Sequence, residues 1–119
     1  MKKIWLLAEG ELCENIYEIL QLEGFDPWIV SKKEAVELNY NHGQPRMIIC
    51  ETGYVKAHGQ LFSSPGEKIC PLIILSPDGE QPSSQIHADL CLPMPFSEEI
   101  LLNAVKYYFD HPLISHNFT

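Results

Sequence analysis

Apolar runs in this chain end on groups that can do chemistry. Met47, Ile48, Ile49 and Cys50 run into Glu51, followed by Thr52 and Gly53. Ile4, Trp5, Leu6 and Leu7 run into Ala8, Glu9, Gly10 and Glu11. Leu72, Ile73, Ile74 and Leu75 run into Ser76, and Leu90, Cys91 and Leu92 run into Pro93, Met94, Pro95 and Phe96. If these runs are parallel strands, their ends meet at the carboxyl edge of one sheet, where open α/β folds place their sites. Glu9, Glu11 and Glu51 would then share that edge with Ser76 and Met94. Such carboxylates suit weak binding of a hard cation. Paired carboxylates also suit acid–base hydrolysis, but no neighbouring pocket signal in the sequence supports it.

Other chemistries find less support. The five histidines, His42, His58, His87, His111 and His116, make no H-x-x-x-H pair, and the four cysteines make no C-x-x-C pair. No metal motif follows. Cys13, Cys50, Cys70 and Cys91 read as small buried hydrophobes of a reducing compartment. Ser76-Pro77-Asp78-Gly79 is a turn signature rather than a nucleophile with a base beside it. The acidic stretch Ala8-Glu9-Gly10-Glu11 argues against an anionic cofactor at the first loop. No cofactor is expected.

The elements that must position these groups alternate in type. Residues 3–7 form a short apolar run bounded by Gly10, suited to a buried strand. Leu12, Ile16, Ile19 and Leu20 recur at helical spacing, with Glu11, Glu14, Asn15 and Glu18 opposite and Gly24 as the stop. Residues 25–30 read as a second strand, and Pro27 places it at a sheet edge. Ser31 and Glu34 make a capping box for a short helix to residue 38. Residues 39–45 are loop and 47–50 a third strand. Residues 52–68 are poorly patterned, with a short helix around 55–62. Residues 69–75 and 89–92 give two more strands. The intervening stretch, 76–85, has no apolar residue and is expected to be loop. Ser97, Glu98 and Glu99 open a last helix. Its buried stripe is read as Ile100, Leu101, Ala104, Val105 and Tyr108. That phase puts Leu102 and Lys106 on the outer side, with Tyr107 and Phe109 on the flanks, an expected interaction surface.

Strands separated by helices imply parallel pairing and right-handed crossovers. The expected fold is α/β, a flavodoxin-like three-layer sandwich with a five-stranded parallel sheet in the order 2-1-3-4-5. The fourth helix is expected to be short or absent. Residues 1–110 make one domain and residues 111–119 a tail. At 119 residues there is room for one core. A net charge of −8 disfavours nucleic acid and anionic membranes, because the field repels phosphate. No run approaches a membrane span or a signal peptide, so the chain reads as cytoplasmic.

In their order, these landmarks resemble the response-regulator receiver domain. Residues 3–9 are similar to its first strand and acidic pair, and residues 45–51 to the strand ending at the phosphorylated aspartate. Residues 71–76 are similar to the strand ending in the switch Thr or Ser. Residues 88–99 are similar to the strand ending in Lys-Pro-Phe and the helix after it. The departures from that pattern fall on the reactive parts. Working receivers carry an aspartate where Glu51 stands, and two acidic residues where this chain has Ala8 and Glu9. They carry a lysine at the place of Met94, and usually an aromatic at the place of Cys91. Ser76 keeps the family type. The resemblance therefore implies a degenerate phosphoacceptor position at Glu51, a degenerate acidic pocket at Glu9 and Glu11, and switch positions at Ser76, Cys91 and Met94.

Phosphoryl transfer needs an in-line carboxylate, a metal and a cation. The resemblance thus implies a pseudo-receiver: a phosphorylation-independent interaction module of bacterial two-component-type signalling, not an enzyme. Its expected partner is a signalling kinase, an output protein or a second copy. Glu51 reads either as a standing mimic of the phosphoryl group or as a solvated carboxylate at a strand end. Two alternatives stay open: a receiver still phosphorylated at the acidic site under some condition, and a flavodoxin-like small-ligand binder.

Overall fold

The computed structural model describes residues 3–30, 45–53, 70–76 and 88–110. Five strands alternate there with two helices: β1 Lys3–Leu7, α1 Gly10–Leu22, β2 Asp26–Ile29, β3 Met47–Glu51, β4 Leu72–Ser76, β5 Leu90–Pro93 and α2 Glu98–Asp110. The sheet order is β2-β1-β3-β4-β5 and every pairing is parallel. The flavodoxin-like order expected from the alternation is thus observed. The readings of residues 31–38, 39–44, 55–62, 77–85 and 111–119, and of the five histidines, lie outside the described residues.

The inner strands β1, β3 and β4 are apolar without alternation because both of their faces are buried. Ile4, Leu6, Met47, Ile49, Ile73, Leu75 and Leu92 fill one face together with Cys13, Ile16 and Leu20 of α1 and Leu101, Leu102 and Val105 of α2. Trp5, Leu7, Ile48, Cys50, Leu72 and Ile74 fill the other, joined by Val30 and Cys70. Both described helices therefore lie on the same face. All four cysteines are free thiols; three are buried and Cys91 is half-buried.

The helix ends explain where the strands start. Glu23 is the C-cap of α1, and Gly24 follows at φ +90°, which a side chain would resist. The Gly24 N–H donates to the Gln21 carbonyl (3.1 Å), and the Phe25 N–H to the Leu20 carbonyl (3.0 Å). This pair of bonds is the Schellman closure. It turns Phe25 into the core, where its ring meets Phe109 of α2 at 5.0 Å. At the start of α2 the Ser97 Oγ accepts the Ile100 N–H (3.1 Å), as expected of a serine cap.

Asp89 has a structural part that periodicity did not disclose. Its Oδ2 accepts the Leu72 N–H (2.8 Å), while its own N–H donates to the Leu72 carbonyl (2.9 Å). The Tyr108 hydroxyl donates to the Asp89 carbonyl (3.0 Å). One residue thereby ties the starts of β4 and β5 to α2. Burial first, then the charge of Asp89 and the neighbouring Tyr107, pushes the Tyr108 phenol up, so it remains a neutral donor.

The expected stripe on α2 needs correction. Ile100 is exposed, and Leu102 is buried in the core. Phe109 is half-buried against Phe25. Lys106 and Tyr107 do face solvent, and Lys106 pairs with Glu23 of α1 at 3.1 Å. An ion pair this exposed contributes little stability, but it marks which side of α2 lies next to α1. The helix is rotated so that Leu101, Leu102 and Val105 enter the core. Leu102 and Phe109 therefore do not form part of an exposed apolar flank.

Candidate functional site at the carboxyl edge

The register places the chemistry-bearing ends side by side. Leu7 pairs with Cys50, Glu51 with Leu75, and Ser76 with Pro93. Glu51, Ser76 and Met94 thus share one edge with the loop that carries Ala8 and Glu9. Glu51 is half-buried, Ser76 buried and Met94 half-buried. Cys91, by contrast, pairs with Ile74 inside the sheet and packs beside the second core cluster.

Glu51 is turned inward across the edge. Its Oε1 accepts the backbone N–H of Glu9 at 2.8 Å, joining β3 to the loop between β1 and α1. The extra methylene that distinguishes glutamate from aspartate supplies the reach. One oxygen of the Glu51 carboxylate is thus held by the protein's own backbone. Beside it, the buried Thr52 hydroxyl donates to the Leu75 carbonyl (3.0 Å). The Met94 N–H donates to the Ser76 carbonyl (2.9 Å), ahead of a cis peptide bond to Pro95. Neighbouring strand ends β1, β3, β4 and β5 are therefore each tied to the next.

Among the described residues the edge carries carboxylates and no cation. Among the described residues the cations are Lys3, Arg46 and Lys106. Lys3 and Arg46 lie at the amino ends of β1 and β3, with the Lys3 Nζ 4.3 Å over the Trp28 ring, and Lys106 is engaged by Glu23. None of these three lies at the carboxyl edge. Cys13, buried beneath it, has its thiol pushed up by burial first, then by Glu51 and Glu14. A thiol raised in this way stays protonated and unreactive. Burial alone pushes up Cys91.

Several solved structures share this architecture. A response regulator from Thermotoga maritima superposes with a TM-score of 0.72 at 14% identity, covering 92% of this chain and 98% of that one. The signal receiver domain of a histidine kinase from Syntrophus aciditrophicus gives 0.71 at 17% identity, covering 93% and 92%. The receiver domain of a sensor histidine kinase from Pseudomonas aeruginosa, solved with magnesium in its active-site cleft, gives 0.68 at 16% identity, covering 92% and 98%. No family model matches the sequence, and no curated protein matches it either. The chain has the fold of response-regulator receiver domains.

The residues present at this edge do not fit a magnesium like the one in the cleft of the Pseudomonas aeruginosa receiver domain. At the edge Ala8 is a buried methyl group that offers no ligand, and the Glu51 Oε1 already accepts an N–H. Among the described residues no group of three or more His, Cys, Asp or Glu side chains is arranged for a metal ion. Nor is any helix among them long and apolar enough to cross a membrane.

Proposed function

We propose that this chain is a pseudo-receiver: a phosphorylation-independent protein-interaction module of cytoplasmic two-component-type signalling, with no enzymatic activity of its own. The observation that carries the reading is the bond from the Glu9 N–H to the Glu51 Oε1. A phosphoacceptor needs an oxygen in line with the donor, and misplacement by about 1 Å already costs about 100-fold. Glu51 is one methylene longer than aspartate and is folded back onto the protein. Met94 brings no charge to hold a phosphoryl group, and Ala8 no ligand for a metal. Glu9, Glu11, Ser76 and Cys91 keep the places of an acidic pocket and a switch without the set that would operate them.

Its partner in this reading is a signalling kinase, an output protein or a second copy of the chain. Contact falls on the outer side of α2, where Ile100, Lys106 and Tyr107 are exposed. Ile100 and Tyr107 are both about half exposed, at 51% and 54%, and a heptad apart they align along the helix.

Beryllium fluoride with magnesium forms a phosphoryl-like adduct on a receptive acceptor carboxylate. Added to this protein, it is expected to leave the amide resonances of Ala8, Glu9, Thr52 and Ser76 where they are. Saturable shifts at those amides would show a working acceptor site and overturn the proposal.

A further inference from the structure

The start of α1 depends on a residue far away in sequence. Glu9 is the N-cap, with extended φ and ψ of −130° and 158°, and its side chain makes no cap hydrogen bond. Glutamate is not among the residues that cap helices well. In a capping box, an acid at the third helical position reaches back to the N-cap N–H. Here that third position is Leu12, which packs on the core. The acceptor comes instead from Glu51, 42 residues on, at 2.8 Å. A carboxylate there also lies at the positive end of the helix. Gly10, at φ +68°, follows the N-cap in a conformation that glycine alone tolerates well.

We infer that Glu51 is a conformational latch, completing the cap of α1 from the end of β3 and holding the β1–α1 loop closed on the sheet edge. The bond is charge-assisted and crosses between two elements, so its loss frees the loop and first turn of α1 without opening the core. Ile16 and Leu20 keep the rest of α1 seated, since both are fully buried. The edge then has two arrangements, latch closed and latch open. A partner that bound Glu51 or the Glu9 N–H would shift the balance between them by its differential affinity.

The inference rests on the pseudo-receiver reading, in which Glu51 holds rather than reacts. Hydrogen exchange on the whole chain tests it. In Glu51→Ala the amides of Glu9, Cys13 and Glu14 are expected to exchange about 10-fold faster, the loss of one charge-assisted bond. The Ile73 and Ile74 amides of β4 should be unchanged. Glu51→Gln keeps an acceptor oxygen without the charge, so a smaller acceleration confined to the same amides is expected; it decides the matter if Glu51→Ala does not fold. Unchanged exchange at Glu9, Cys13 and Glu14, or equal acceleration in β4, would overturn the latch. A phosphoryl adduct on Glu51 after acetyl phosphate treatment would sink the pseudo-receiver reading, whereas exchange in the untreated wild type and variants reports the latch alone, so the two ideas are tested separately.

Discussion

Leu102→Glu is expected to unfold the domain rather than alter its association. Leu102 is buried in the cluster with Leu101, Val105, Ile73 and Leu75. A carboxylate there forfeits the burial of a leucine, about 2–5 kcal/mol by large-to-small precedent, and adds an unpaired charge in an apolar site. A domain of this size has about 5–15 kcal/mol in all, so the variant should lose most of its folded population near room temperature. Ile100→Glu makes the same chemical change two residues earlier on an exposed position and should fall within about 0.5 kcal/mol of wild type. Urea denaturation of both variants checks the contrast. Comparable midpoints for the two would mean that α2 is rotated differently from the structure.

The second large effect concerns chemistry. Glu51→Asp alone is expected to give little phosphorylation from acetyl phosphate and magnesium. It shortens the side chain out of reach of the Glu9 N–H, but Ala8 still supplies no carboxylate and Met94 no cation. Ala8→Asp, Glu51→Asp and Met94→Lys combined should raise the labelling rate about 100-fold or more over the single change, since positioning and charge stabilisation each contribute factors of that order. Ala8 is buried at the edge, at 3% exposure, so the combined variant also loses some stability. Its rate should therefore be compared at a temperature where circular dichroism shows it folded. Efficient labelling of Glu51→Asp by itself would mean that the losses at Ala8 and Met94 matter less than the geometry of one carboxylate.

Much of the architecture is legible in the sequence, because it rests on local rules. Unbroken apolar runs such as residues 47–50 require a sheet buried on both faces. Gly24 and Ser97 announce their helix ends through conformational freedom and a capping hydroxyl, and both act as expected. The phase of α2 was ambiguous for an equally local reason. Ile100, Leu101 and Leu102 are consecutive apolar residues, so stripes through either flank look alike. What distinguishes them lies elsewhere in the chain: Phe25 receives Phe109. The same holds for Glu51. Its place at the edge follows from the strand before it, but its acceptance of the Glu9 N–H depends on a rotamer and on the path of another loop. By pattern Asp89 belongs to the strand that follows it; in the structure it precedes β5 and its carboxylate accepts an amide of the neighbouring strand.

The central claim is that Glu51 is committed to the protein's own backbone and does not accept phosphate. Intact-mass measurement after incubating the wild-type chain with acetyl phosphate and magnesium tests it most directly, with a phosphorylatable receiver treated in parallel. The expected result is an unchanged mass for this chain while the parallel receiver gains one phosphoryl group. A stable, stoichiometric adduct mapping to residues 8–11 or 50–53 would contradict it.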